Sequence, residues 1–534
     1  MDAASSGGSP QKRARVDEAA ADEATGEAEA AAQLAAADRL MSWLRGHGAF
    51  IDGVRVEAGG GAGRRLVAAR DLPAGFCFLR LPASCGLSPS SCLGTDVGKA
   101  VQKRHQLVEG GSAEGDEAAE DECEKVTHRS VLYAFLMAAS QDDSAPFGPF
   151  LAHLRLSGVG TPFSWSTQDR ARLPRPLNDD LESYESHILG QYQTLFPSLS
   201  EAFPELFPNC TEEAWRRAHG LYSSYDFAAS PGSSEDDGVL LPLLDCMNHD
   251  SEAANVEWGG LSLEESCGAR VTRPVREGEE LLYSYGCKGN AELVLGYGFA
   301  VWDNPHEAVT VRFEFPGDLD STADAWLAAA QRLSQAAEDW GADQHGLGSA
   351  SFQLKLEHFD EGMPKPLEEA AAACSSAAAS AGAAASSSAS QGDGLDRQGA
   401  GARPPAAAAR ALLRRLLLRR GQELMRKADG AVDAEAAPSL SGPAWERYEK
   451  ALRQRDSVEV GCHPCAVTPE GCAVATRSSQ VQVLLAALDC LENSTPKLRR
   501  KPKRKAAPKQ RQPTTTVPAT GGEGKDPADC SNPI

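Results

Sequence analysis

The stretch that leaves this chain least freedom runs from Leu240 to Phe299. Its apolar run Leu240-Leu241-Pro242-Leu243-Leu244 breaks off into Asp245, Asn248 and His249. Polar side chains are thus delivered at the end of a buried strand, where a rigid scaffold aims them. Further on, Leu281, Tyr283 and Tyr285 alternate with Leu282 and Ser284, a period-2 strand with its tyrosines on one face. The turn before it, Arg276-Glu277-Gly278-Glu279, has the residues of a tight connection. A short helix from Asn290 follows, and Gly296 and Gly298 bracket Tyr297. Alone, each piece is ordinary: strands favour tyrosine for packing, and an Asn-His pair after a strand is usually a turn. Their combination in this order points to a built site.

The rest of the chain shows where that stretch sits. Met1 to Ala37 is Ala, Gly, Ser and acid, too poor in apolar surface to order itself, and it contains the import-like cluster Pro10-Gln11-Lys12-Arg13-Ala14-Arg15-Val16-Asp17. Asp38 caps a helix carrying Leu40, Trp43 and Leu44, which Gly46 and Gly48 stop. Short strands with tight turns follow, Leu66 to Arg70 and Phe76 to Leu81, which predicts a compact β core. Residues 94–121 read as a polar loop. From His128 the pattern turns helical, through Val131-Leu132, Phe135-Leu136, Leu181 to Phe196 and Glu212 to Tyr225, an insertion ahead of the central stretch. Beyond Val309, Val311, Phe313 and Phe315, a last strand or a bridge to the next domain, helices are expected over Asp324 to Glu338, Pro364 to Cys374 and Val481 to Leu491. Ser375 to Arg403 reads as a disordered low-complexity insertion. Leu412, Leu413, Leu416 and Leu417 with Arg414, Arg415, Arg419 and Arg420 read as a core stripe with solvated arginines.

Charge and cysteine usage narrow the function. A formal net charge of -22 speaks against a general nucleic-acid binder, although basic residues cluster at Lys497 to Arg511. Fourteen scattered cysteines fit a reducing compartment and free thiols. No apolar run approaches the ~18 residues of a membrane span, and no secretory signal is recognisable, so a soluble nuclear or cytoplasmic protein is expected. Cys462-His463-Pro464-Cys465 with Cys472 has zinc-like spacing for two ligands but lacks an evident fourth, so no metal is expected.

Asp245-x-x-Asn248-His249, Gly278-Glu279 before the strand ending in Tyr285, Asn290-Ala291-Glu292 and Tyr297-Gly298-Phe299 together resemble the SET-domain protein methyltransferases. The branch they resemble is that of the Rubisco large-subunit lysine methyltransferases and the actin-histidine methyltransferase. Gly63-Arg64-Arg65-Leu66-Val67-Ala68-Ala69-Arg70-Asp71-Leu72 is similar to that branch's cofactor loop, and Thr161-Pro162-Phe163-Ser164-Trp165-Ser166 to a signature of its helical insertion.

The resemblance implies an α+β fold with a SET-type β core, a helical insertion and an all-helical C-terminal domain. In domains this reads as a tail over 1–37, a SET domain over 38–305 (core about 54–287, insertion about 128–229), a helical substrate-binding domain over 306–495 interrupted by 375–403, and a basic tail over 496–534. It implies an S-adenosyl-L-methionine-dependent protein-lysine N-methyltransferase acting, as a monomer, on a protein substrate. Tyr285 is then the catalytic tyrosine. Gly63, Arg64, Asp245, Asn248, His249 and Phe299 line the cofactor, and Phe227 and Tyr297 line the substrate channel. The histidine-specific relative has a polar amide where this chain has Phe227 and a tryptophan where it has Leu244, which favours lysine. The alternatives are histidine methylation or a SET-fold binding protein with a weakened cofactor loop.

Two departures bear on the cofactor. The resembled loop usually reads Glu-Gly-x-Gly where this chain has Ala62-Gly63-Arg64-Arg65, so an arginine replaces the second glycine and crowds the site, unless Gly61-Ala62-Gly63 takes its place through a shift of register. Where the family often has an arginine reaching the cofactor's carboxylate, Ser224-Tyr225-Asp226-Phe227 offers Tyr225, and Arg64 or Arg65 is the candidate replacement. The whole reading requires the chain around Tyr285 to cross the Asn248-His249 segment.

Overall fold

A computed structural model of the chain describes residues 10–59, 63–108, 126–139, 146–208, 210–227, 238–259, 267–315, 324–360, 363–388, 405–424 and 465–492. Cys462 to Pro464 and the basic stretch 497–511 lie outside the described residues. The chain divides into two compact units: Met1–Asn304 with Glu423–Ser479, and Pro305–Gln422 with Gln480–Ile534.

In the first unit, α1 spans Pro10–Gly46, well ahead of the expected start at Asp38. Among its described side chains, Ala36, Ala37, Leu40 and Leu44 pack into the core. After β1 (Phe50–Ile51), β2 (Val54–Gly59) and β3 (Gly63–Ala68) form an antiparallel hairpin from Val54↔Ala68 to Gly59↔Gly63. Alternation on β3 turns Arg64 and Leu66 inward and Arg65 outward. β4 (Cys77–Leu81) follows.

The helical insertion then runs through α2 (Pro89–Leu93), α3 (Asp96–Arg104), the short parallel pair β5 (Leu107–Val108) and β6 (Val126–Thr127), α4 (His128–Ala139), α5 (Gly148–Arg155), α6 (Thr167–Arg170), α7 (Arg175–Ala202) and α8 (Glu212–Tyr225). Thr211 caps α8, its side chain accepting from Ala214 N. Trp215 is fully buried and donates from Nε1 to Ile188 O at 2.9 Å, which ties α8 to α7.

The chain re-enters the sheet region through β7 (Asp226–Phe227) and β8 (Val239–Leu240), then β9 (Asn248–His249), β10 (Val256–Gly259) and β11 (Cys267–Val271). The four-stranded sheet has the order β1-β4-β11-β10. β12 (Leu282–Tyr283) runs parallel to β9 with Leu282↔Asn248 and Tyr283↔His249, which is the crossing the sequence reading requires. β12 is shorter than the Leu281-to-Tyr285 alternation because Leu281 N turns to Leu66 O at 2.8 Å, back onto the hairpin. α9 (Asn290–Tyr297) and β13 (Ala300–Val301) close this run. Asn290, fully buried, staples them together: its Nδ2 donates to Val301 O at 3.0 Å and its Oδ1 accepts from Val301 N at 2.9 Å.

The second unit is not all-helical. β14 (Ala308–Glu314) pairs antiparallel with a later strand along its full length, from Ala308↔Lys355 to Glu314↔Ser349. After α10 (Asp324–Trp340) come β15 (Asp343–Gln344) and that strand, β16 (Ser349–Lys355), giving a sheet of order β14-β16-β15. Ala350, Phe352 and Leu354 are its buried face. α11 (Lys365–Ser388) carries helix into the stretch expected to be disordered, with Ala377 buried, because alanine holds a helix at little entropic cost. On α12 (Pro405–Leu424), Leu413 and Leu417 are buried while Arg414, Arg415 and Arg419 are exposed. β17 (Cys465–Ala466) and the first part of α13 (Pro469–Glu492) belong to the first unit, where β17 pairs antiparallel with β13. No helix among the described residues is long and apolar enough to cross a membrane.

Candidate active site

Where β9 and β12 cross, short polar bonds fix the backbone. Asn255, fully buried, accepts from Leu282 N at 2.9 Å and donates to Glu280 O at 2.8 Å. Asn248 Nδ2 donates to Glu280 Oε1 at 2.8 Å and to Arg64 O at 3.3 Å, binding the crossing to β3. Tyr285 N donates to His249 Nδ1 at 3.0 Å, so that ring nitrogen is unprotonated. The Tyr285 hydroxyl donates to Met247 O at 2.8 Å. Burial, then the neighbouring Tyr297, pushes the Tyr285 hydroxyl well above the usual tyrosine range, so it keeps its proton.

These bonds border a cavity of about 230 Å³. Gly63, Arg64, Asp245, Asn248, His249, Tyr285, Tyr297 and Phe299, eight residues singled out in the sequence, all line it. Phe227 does not. It is buried beside the cavity, stacked on Tyr283 at 5.6 Å and edge-on to Trp258 at 5.1 Å, and Tyr283 in turn meets Tyr285 at 4.7 Å. An aromatic run therefore leads from Trp258 to the Tyr285 hydroxyl.

Arg64 and Arg65 lie on opposite faces of the altered loop's strand. Its side chain is 3% exposed, and Nη2 meets Asp245 Oδ2 at 3.1 Å. Its guanidinium lies 5.5 Å from the Tyr225 ring centre, and Nη1 has no hydrogen-bond partner. Arg65 points the other way: Nη2 binds Glu57 Oε2 at 2.9 Å and its side chain is 40% exposed, so it neither plugs the cavity nor reaches into it. Gly63 holds a left-handed φ of 79° at the start of β3, the freedom the loop needs there, while 60–62 lie outside the described residues.

Behind Asp245, His153 Nε2 lies 3.7 Å from Oδ2 and 3.4 Å from Cys246 Sγ. Burial and then the Arg64 charge hold His153 well below its usual pKa, and burial raises Asp245 against the pull of Arg64. His153, Asp245 and Cys246 converge closely enough for a metal. Asp245 Oδ2 in that cluster is already paired with the Arg64 guanidinium.

The remaining wall is made by residues the sequence reading left without a site role. Gly158, Val159 and Gly160 present backbone to the cavity, held by Tyr225 Oη to Gly158 O at 3.0 Å, Ser164 Oγ to Val159 O at 2.9 Å and Trp165 Nε1 to Gly160 O at 2.8 Å. The Thr161-to-Ser166 signature thus props a cavity wall. Ser224, Tyr225, Gly298, Cys465 and Val467 complete the lining, and the last two carried no signal beyond the Cys-His spacing.

No family model matches the chain. It is 24% identical to the N-lysine methyltransferase SETD6 of Rattus norvegicus over 294 residues, 52% of this chain and 54% of that protein. It is 37% identical to the ribosomal lysine N-methyltransferase set10 of Schizosaccharomyces pombe over 136 residues, 25% and 23% of the two chains. It is 22% identical to the actin-histidine N-methyltransferase of Danio rerio over 287 residues, 51% and 44%. The chain spans about half the length, or less, of these curated relatives. Rubisco LSMT bound to AdoMet superimposes with a TM-score of 0.57 at 16% identity, covering 87% of this chain and 95% of that one. The LSMT SET domain bound to lysine and AdoHcy gives the same score over 86% and 91%. The chain shares its fold with the LSMT SET-domain structures and is similar in sequence to SET-domain methyltransferases. Within them it is similar to the branch holding Rubisco LSMT, SETD6 and the actin-histidine methyltransferase.

Proposed function

We propose that this chain is an S-adenosylmethionine-dependent protein-lysine N-methyltransferase. The observation that carries the reading is the Tyr285 hydroxyl, pinned to Met247 O where the Arg64-bearing cavity meets the aromatic run from Trp258. The residues present fit the cofactor. Arg64 offers a buried, unpartnered Nη1 for its carboxylate, and His249 and Phe299, 5.9 Å apart, offer flat faces for its base. Asp245 holds Arg64 in place, and Asn248 and Gly63 supply backbone beside it.

When bound, S-adenosylmethionine supplies a methyl group already activated on a sulfonium, so the protein needs no strong base. A lysine of reference pKa ~10.4 must lose a proton, which at neutral pH costs about 4 kcal/mol. Tyr297 and Phe299 in the cavity wall, with Tyr283 packed behind Tyr285, lower that cost by desolvating the ammonium. Tyr285 keeps its own proton on Met247 O and leaves its oxygen lone pairs to orient an amine N–H. Phe227 stands where the histidine-specific relative has a polar amide, and it packs on the aromatic Tyr283 and Trp258, which supports lysine over histidine.

The test is methyl transfer from labelled S-adenosylmethionine to proteins of a cell extract, with mass spectrometry of the modified side chain. Methyl-lysine is expected, and Tyr285→Phe lowers turnover by about 10²-fold, as loss of an orienting group does. Methyl on histidine refutes the lysine assignment. A folded protein that takes up no S-adenosylhomocysteine in calorimetry supports a SET-fold binding protein instead.

A further inference from the structure

Beyond β13 the chain leaves the first unit at Pro305 and returns to it at Glu423. What it brings back is Cys465 and Val467, both in the cavity wall. β17 seats them: Cys465 pairs with Val301 and Ala466 with Ala300. Cys465, 7% exposed, shares an apolar cluster with Leu293 and Val301, against which Tyr297 and Phe299 pack. α13 then fastens the return at three points. Cys472 Sγ donates to Gly298 O at 3.7 Å, Arg477 Nη2 to Arg172 O at 2.6 Å, and Asn290 Nδ2 to Ser479 Oγ at 3.4 Å. Of the Cys-His stretch, Cys465 lines the cavity and Cys472 Sγ donates to a backbone carbonyl, while Cys462 and His463 lie outside the described residues.

The cavity residues fall into two chemical groups. Arg64 and Asp245 bring paired charge and an open cationic nitrogen. Cys465 and Val467 accompany Phe299 and Tyr297 in the wall, and the carboxylates of Asp250 and Glu280, which act on the Cys465 thiol, do not line the cavity. Burial keeps the Cys465 thiol protonated, its pKa pushed up to about 12, so it acts as a small apolar surface and not as a nucleophile. A ligand with a zwitterionic end and a flat heteroaromatic end can lie only one way between such groups.

We infer that Cys465 and Val467, on the strand that returns to β13, form the apolar seat for the nucleobase of the bound nucleoside. This rests on the reading of the cavity as a nucleoside-sulfonium site. A cofactor contact would thus be supplied by a segment beyond the second unit in the chain.

Calorimetric titration of the full chain with S-adenosylhomocysteine tests it, using wild type, Cys465→Trp and Val467→Trp. Both variants fill the seat, and affinity is expected to fall at least about tenfold with the heat-unfolding midpoint of the unliganded protein unchanged. If Cys465→Trp does not fold, Val467→Trp decides, because Val467 is only half-buried. Variants that bind like wild type overturn the inference, whether or not methyl transfer to protein survives. A wild type that does not bind overturns the cofactor reading as well, and is distinguished by failing before any variant is compared.

Discussion

Arg64 is a buried cation that pairs with Asp245 through Nη2 and lies against Tyr225, with Nη1 left without a well-formed hydrogen bond. Breaking a buried pair by removing one partner costs about 3–5 kcal/mol, because the other charge is stranded. Arg64→Leu should therefore lower the unfolding free energy in urea by that order, and Arg64→Leu with Asp245→Leu should recover most of it. Neither should bind cofactor normally, since a charge-assisted contact of about 1.5–3 kcal/mol is gone in both. A double variant that binds like wild type refutes the carboxylate role. Tyr285 supports a second prediction. Its hydroxyl stays protonated well past pH 10, so the pH profile of kcat/KM should show no limb belonging to it, and Tyr285→Phe should lower the profile without shifting its pKa. The sequence left Arg64 and Arg65 as rivals for the cofactor. Strand parity was the available discriminator: Leu66 must face the core, and Arg64, two residues earlier, shares its face.

Gly298 ends α9 in a left-handed turn of φ 79°, its N–H bound to Leu293 O and Val294 O at 3.0 Å. A Cβ there would stand 2.0 Å from Gly160 C and O, inside the backbone that lines the cavity. Gly298→Ala should cost more than the ~1 kcal/mol typical of left-handed strain alone, and should weaken S-adenosylhomocysteine binding by displacing that wall. Gly63→Ala has the same φ but meets nothing within 4 Å, so differential scanning calorimetry should separate the two, with Gly63→Ala the milder. The contrast shows what pattern alone can reach. Tyr285, Asn248 and His249 were legible because the strand alternation and the abrupt end of an apolar run mark them. The parallel match of two-residue β9 and β12 has no period to read, and β16 hid among helices because its seven residues are too few to announce a sheet.

Stability of the whole molecule carries a pH signature from the helical insertion. His219 is buried with no hydrogen-bond partner on either ring nitrogen, against Tyr133 at 3.8 Å and Trp215 at 5.0 Å. Burial, then His187 and Arg129, hold its pKa well below 6.5. The unfolded chain therefore takes up this proton first, so stability is full above about pH 6.5 and is lost as pH falls below it. Between pH 7.5 and 5.5, His219→Phe should retain about 1 kcal/mol more of the urea-unfolding free energy than wild type. An equal loss in both proteins would refute the assignment. The division into units lay beyond pattern for a related reason: no periodicity announces that Cys465 returns to a strand at Ala300–Val301. That return sets a timetable for synthesis. Until the ribosome has released residue 479, Leu293, Val301 and Phe299 lack their final cover, and a nascent chain halted earlier shows an oily flank to chaperones and proteases.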